Sequence, residues 1–225
     1  MKRFYKEVTV ADGAILLDGR AVKTPARNGL ILPSPALADG VAGEWRDQGE
    51  TIDPRSMPLT GLANAAIDRV APDPAMFARP LAAYAETDLL CYRADGPDEL
   101  VARQAEAWDP LLGWAQRRYD VHFAVTNGIV HAPQPPATIG RLGDALDAFD
   151  AFHLAALSPL VTIGGSLVVA LALTERAIAA EAAFALTHLD ELWQAERWGE
   201  DALATQARDA RRADFLAAAR FLSLL

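Results

Sequence analysis

Four histidines, one cysteine and 30 carboxylates are the side chains through which this 225-residue chain could do acid–base, nucleophilic or metal chemistry. His122, His131, His153 and His188 share no ligand-like spacing, so a site made from them would have to be assembled across the fold. Read locally, His153 and His188 are helix residues bonded to their own surroundings, and His122 and His131 belong to strands or loops. Cys91 has no activating neighbour in sequence, and a buried inert thiol is the expectation. A lone cysteine rules out an internal disulfide and a Cys-rich zinc site. Carboxylates are so abundant that two always fall near each other, which makes pairing weak evidence for acid–base work. Gly164-Gly165 lacks the spacing of a phosphate or dinucleotide loop, and neither G-x-S-x-G nor H-E-x-x-H occurs. The residues therefore predict no catalytic group, no bound metal and no cofactor. A small cytoplasmic hydrolase with a carboxylate and histidine site is the alternative.

Five tryptophans say more, because tryptophan is either a core anchor or a binding hot spot. Trp45 continues the face of Leu37 and Val41, which predicts a core position. Trp108 and Trp114 are six residues apart around Pro110 and point to different sides of one helix, so one of them docks on another element. A helix spanning Ala177–Trp198 places Ala182, Ala185, Leu186, Leu189, Leu192 and Trp193 on one apolar stripe. Asp190, Gln194 and Arg197 then lie on the flank, with Glu191 and Trp198 nearly opposite. Trp198 is either covered by the last helix or presented to a partner. An acid beside an aromatic is a docking surface for a partner bearing Arg or Lys.

The elements that must position these residues follow from composition and patterning. Hydrophobic residues make up 52% and charged residues 23% of the chain, enough for a core and incompatible with general disorder. Alanine, at 46 residues, favours helix. A net charge of −9 argues against nucleic acid and anionic membrane surfaces, both of which reward clustered cations. Residues 4–32 read as short strands, with turns at Ala11-Asp12-Gly13 and Asp18-Gly19. Ser34-Pro35 opens a helix as N-cap and first residue. Asp98 and Glu99 begin a long helix, Asp120–Val125 reads as a strand, and residues 139–225 are helical in character, broken near Asp150, Thr174 and Gly199. The expected fold is α+β by segregation: a small antiparallel β-rich N-terminal domain over 1–65 and a larger α-helical domain over 66–225. Ala151–Thr174 carries no Asp, Glu, Lys or Arg and could span a bilayer by length. It also holds His153, Pro159, Gly164 and Gly165 and has no basic flank, which predicts a buried central helix and no membrane insertion. The N-terminus has no apolar signal region, so a cytoplasmic location is expected.

Several strings, in order, carry a resemblance: FYKEVTV, LDGRAVKTPARNGLILP, EWRDQGETIDPRSMPLTGLANAAID, DLLCYRA, WDPLLGWAQRRY and LDELWQAERWGED. Over nearly its whole length the chain resembles the ATP synthase assembly chaperones that bind the free α subunit of the catalytic head. The resemblance implies a holding function without catalysis. Such a protein binds newly made α subunit, shields the surface that will meet the β subunit, prevents aggregation and releases its client during assembly. It also implies an acidic position that matters for function within LDELWQ. The candidates are Asp190, one methylene shorter than the glutamate of other members, and Glu191. With them, Gln194 and Trp198 form the expected partner-binding set, while Trp45, in the Glu-Trp string, supports the fold. Mitochondrial members carry a targeting extension, so a bacterial cytoplasmic member is implied, and a monomer is the default.

Overall fold

Two Asp-Gly dipeptides build the N-terminal sheet, in a chain of which the computed structural model describes residues 1–225. Asp12 and Gly13 have φ of 50° and 76°, and Asp18 and Gly19 have 48° and 75°. Two successive positive φ values close a tight hairpin whose twist suits antiparallel strands. Strands β1 (Val8–Ala11), β2 (Ala14–Leu17) and β3 (Arg20–Ala21) therefore follow one another antiparallel, with Val8 opposite Leu17 and Leu16 opposite Ala21. Along β2, Ile15 and Leu17 are buried and their neighbours are not, the alternation of a half-buried strand.

Helix α1 (Pro35–Arg46) begins as its sequence dictates: the Ser34 hydroxyl accepts from the Leu37 amide at 3.0 Å, and Pro35 occupies the first turn. Its buried face is Leu37, Ala38, Val41 and Ala42. Helix α2 (Pro58–Ala65) has no cap of its own, and Glu44 of α1 supplies one. The Glu44 carboxylate accepts from the amides of Leu59 and Thr60 at 2.7 and 2.8 Å and from the Thr60 hydroxyl at 2.7 Å. One turn on, Gln48 accepts from the Asp53 amide at 2.7 Å and donates to the Ser56 hydroxyl at 3.0 Å. The Glu-Trp string thus holds the backbone of the Met-Pro-Leu-Thr string.

Eight further helices of eight or more residues complete the chain, with a two-stranded pair among them. They are α3 (Pro74–Ala82), β4 (Tyr92–Arg93), α4 (Asp98–Tyr119), β5 (Thr126–Asn127), α5 (Pro136–Asp147), α6 (Ala151–Gly164), α7 (Leu167–Thr174), α8 (Ala180–Thr187), α9 (Leu189–Trp198) and α10 (Ala202–Ser223). The chain forms two compact units. The first comprises Met1–Pro74, Phe149–Ala156 and Ala217–Leu225, and its core joins Ile15, Leu30, Leu37, Val41, Leu59 and Phe221. The second comprises Ala75–Ala148 and Leu157–Leu216 and buries Trp108, Leu142, Leu157, the apolar residues of α7 and Phe215. Helices α6 and α10 contribute residues to both units. A three-stranded antiparallel sheet followed by a mostly helical remainder is the α+β class expected.

Three sequence expectations change in detail. The apolar run 151–174 forms two helices, α6 and α7, separated at Gly165, whose φ is +66°. Ser166 caps α7 through Val169, and no helix is long and apolar enough to cross a membrane. Asp120–Val125 is irregular; pairing occurs just after it, where Thr126–Asn127 runs parallel to Tyr92–Arg93. Residues 177–198 form two helices that meet at His188, so a single angular reading fails across the break. In α8 the buried residues are Ala183 and Phe184, with Ala182 and Ala185 exposed, whereas in α9 the expected Leu189 and Trp193 are buried.

Candidate functional site

Helix α9 starts directly after His188 and carries Asp190 and Glu191 in its first turn, where the free backbone amides of a helix favour negative charge. Each acid also has a specific holder. Asp190 accepts from the side-chain amide of Gln104 at 2.8 Å. Gln104 is only 1% exposed, and its carbonyl accepts from the Ala94 amide at 2.8 Å. The Asp190 carboxylate is therefore fixed through α4 to the segment after β4. Next to this link, Arg93 donates to the Leu90 carbonyl at 2.9 Å and pairs with Asp109 at 2.7 Å, its guanidinium 5.2 Å from the centre of the Trp108 ring. The Trp108 indole donates to the Leu186 carbonyl at 2.9 Å. This network joins the DLLCYRA, WDPLLGW and LDELWQ strings, which lie far apart in the sequence.

Glu191 is held from α10. It accepts from Arg211 at 2.6 Å, with Arg208 at 3.7 Å, and Arg208 pairs with Glu200 at 2.9 Å. Arg208 is buried, and fixing it in place between two acids also fixes the α9–α10 corner. Farther along α9, Gln194 is exposed. At its end, Trp198 is 74% exposed and stands edge-on to the buried Trp193, ring centres 5.6 Å apart. Gly199 then ends the helix with φ of 88°. A cleft of about 220 Å³ opens here, lined by Glu191, Gln194, Trp198, Glu200, Asp201 and Arg208.

The partner-binding set is thus partly gathered. Glu191, Gln194 and Trp198 line one cleft, while Asp190 lines a neighbouring one of about 190 Å³ with Trp108, His188 and Glu191, which borders both. Trp198 is not covered by the last helix. Sequence reasoning missed Gln104 and Arg208, the side chains that hold the two acids. Gln104 is 86 residues from Asp190, and no local pattern marks either residue as a partner. Trp45 belongs to the first unit. It is half-buried against that core, edge-on to Tyr5 at 5.8 Å, and its carbonyl accepts from the Tyr5 hydroxyl at 2.6 Å.

The remaining chemistry-bearing residues have structural partners. His188 stacks on Phe184 at 3.9 Å and contacts the Phe184 carbonyl at 3.1 Å; burial pushes its pKa down. His153 bonds to Asp150 at 2.9 Å. His131 contacts Tyr92 at 3.0 Å and Glu86 at 3.1 Å. Burial, with the Asp88 charge beside it, pushes the Cys91 thiol up to about 12, so it stays protonated and inert at neutral pH. No group of three or more His, Cys, Asp or Glu side chains is arranged to hold a metal ion.

The cleft at the end of α9 is open, rimmed by an exposed aromatic and lined by three acids and one buried arginine. Residues 2–116 match the family described as ATP12 chaperone protein. The chain is similar to the mitochondrial protein atp12 of Schizosaccharomyces pombe, at 28% identity over 219 residues, covering 89% of this chain and 75% of the relative. It is similar to the crystal structure of Atp12 from Paracoccus denitrificans, with 43% identity, a TM-score of 0.94 and coverage of 99% and 97% of the two chains. An aspartate-to-lysine mutant of that Atp12p matches at a TM-score of 0.93, with 42% identity and the same coverage. The Atu1473 protein of Agrobacterium tumefaciens matches at 0.94 with 43% identity, covering 99% of this chain and 85% of that one. The chain belongs to the ATP12 chaperone family, assembly factors of ATP synthase that are not enzymes.

Proposed function

We propose that this chain binds the unassembled α subunit of ATP synthase, covers the surface that later meets the β subunit, and yields it as the catalytic head assembles. Asp190, Glu191, Gln194 and Trp198 make the contact, and Trp45 supports the first unit. The protein acts as a monomer in the bacterial cytoplasm, without cofactor, nucleic acid or membrane insertion. Trp198 carries this reading: a bulky aromatic 74% exposed at the rim of an acidic cleft has the makeup of an interface hot spot. The acids add steering toward a basic partner while leaving the complex able to dissociate. An isolated subunit exposing apolar interface aggregates unless that interface is covered.

The test is capture of purified α subunit, together with suppression of its aggregation, by wild type and three variants. Trp198→Ala removes an exposed ring, so it should fold normally and weaken capture by about 2 kcal/mol, roughly thirtyfold. Asp190→Lys and Glu191→Lys should abolish capture. Both acids sit in ion-pair or hydrogen-bond networks, so Asp190→Asn is the control. It keeps an acceptor for Gln104 and removes only the charge. Full capture by Trp198→Ala and by both charge reversals, with melting temperatures unchanged, would refute the assigned surface. Absence of capture by folded wild type would refute the client.

A further inference from the structure

The first unit holds a larger opening than either cleft around α9: a groove of about 600 Å³ beside β3. One wall is aromatic. Phe4 meets Tyr5 edge-on at 5.4 Å, and Tyr5 meets Trp45 at 5.8 Å. Phe4 is 64% exposed, a costly position for phenylalanine unless something covers it. Leu17 and Val22 add aliphatic surface.

The groove's charges are one-sided. Asp18 is its only carboxylate. That group accepts from the amides of Glu7 at 2.8 Å and Lys6 at 3.0 Å, so its charge is already committed to the backbone. The two cations, Arg20 and Lys23, are exposed and make no ion pair or side-chain hydrogen bond. The surrounding sequence has the same sign. Residues 1–27 contain six Lys or Arg against three Asp or Glu, in a chain whose net charge is −9. Arg20 to Lys23 is an extended stretch of three steps, so the two Cα atoms lie about 10 Å apart at about 3.3 Å per residue.

We propose that this groove is a second docking site, taking an extended protein segment in which bulky apolar side chains are bracketed by two carboxylates about three residues apart. The apolar side chains fill the aromatic wall, and the carboxylates meet Arg20 and Lys23. A polyanion such as single-stranded nucleic acid fits less well. Two cations release few counterions, and the chain as a whole repels phosphate. The proposal does not depend on the α-subunit reading of α9.

The test uses the full chain and three fluorescein-labelled ten-residue peptides. One places Phe-Leu between two glutamates, one exchanges both glutamates for lysine, and one exchanges Phe-Leu for Ser-Ser. Fluorescence anisotropy should show the acidic apolar peptide binding at least tenfold more tightly than either relative. Its amide shifts should map to residues 17–23 by NMR. Arg20→Glu with Lys23→Glu should lower its affinity at least tenfold and leave the melting temperature nearly unchanged, since neither side chain makes an ion pair or side-chain hydrogen bond within the fold. The neutralising pair Arg20→Gln with Lys23→Gln should lose a smaller part. Equal binding of all three peptides, shifts elsewhere, or tighter binding of a labelled ten-nucleotide single strand at the groove would overturn the proposal.

Discussion

Asp88 lies in the interior of the second unit with its carboxylate aimed at two helix starts at once. It accepts from the Ser166 hydroxyl at 2.8 Å, the Val168 amide at 2.9 Å and the Leu90 amide at 3.1 Å. Burial nevertheless dominates and pushes its pKa up to about 6, with the hydrogen bonds only partly offsetting it. A carboxylate whose folded pKa lies above its unfolded value near 3.8 binds its proton more tightly in the folded state. Its contribution to stability is therefore full below about pH 4 and is lost as pH rises through 6. Asp88→Asn retains one acceptor oxygen but turns an amide donor toward a backbone N–H, which should cost about 1–3 kcal/mol. Urea unfolding at pH 4.5, 6 and 7.5 checks both points: the gap between wild type and variant should widen toward low pH. A gap that stays constant would show that Asp88 titrates as it does in the unfolded chain. Neither Asp88's capping role nor the bracing of Asp190 by Gln104 was legible in sequence, because each joins residues about 80 positions apart.

Elements are legible where a local rule decides them, and the N-terminal hairpins show how far that goes. Both Asp-Gly turns form, and both glycines have nearly the same φ, +76° at Gly13 and +75° at Gly19. Their surroundings differ. A Cβ on Gly13 would sit 2.7 Å from the Leu32 carbonyl oxygen, whereas one on Gly19 would meet nothing within 4 Å. Gly19→Ala should therefore cost only the left-handed penalty of about 1–2 kcal/mol. Gly13→Ala should cost clearly more, since Leu32 also donates its amide to the Gly13 carbonyl and cannot move away freely. Equal losses in thermal unfolding would mean the strand bearing Leu32 shifts without cost. The start of α1 was readable from Ser34-Pro35 for the same local reason. The break at His188 was not. Helix-favouring sequence on both sides reads as one helix, and only the depth of burial of Phe184 and Trp193 shows that the apolar face changes across the join. The site inherits that limit: Asp190 and Glu191 stand in the first turn of a new helix, where a continuous helix would have placed them mid-way along.

At the scale of the whole molecule the question is how a chaperone finds its client quickly and still lets it go. In the proposed function, the distribution of charge bears on the first step. The chain carries −9 overall although its first 27 residues carry a net +3, so the negative field belongs to the remainder, which includes the acids around Trp198. Such a field acts over a Debye length, about 30 Å at 0.01 M salt and about 8 Å at 0.15 M. In the proposed reading, this long-range field raises the rate of encounter with a basic surface, while the lifetime of the docked complex rests on the close contacts of Trp198 and its neighbouring acids. Stopped-flow association with purified α subunit should therefore slow about tenfold or more between those salt concentrations, while dissociation changes little. Glu200→Lys with Asp201→Lys, two exposed acids of the cleft, should reproduce the slower association at low salt, and Trp198→Ala should instead speed dissociation. If association were flat in salt, or if Trp198→Ala altered only the on-rate, steering and holding would not be divided between acids and aromatic in this way. The exposed tryptophan would then have to be explained by something other than the grip on the client.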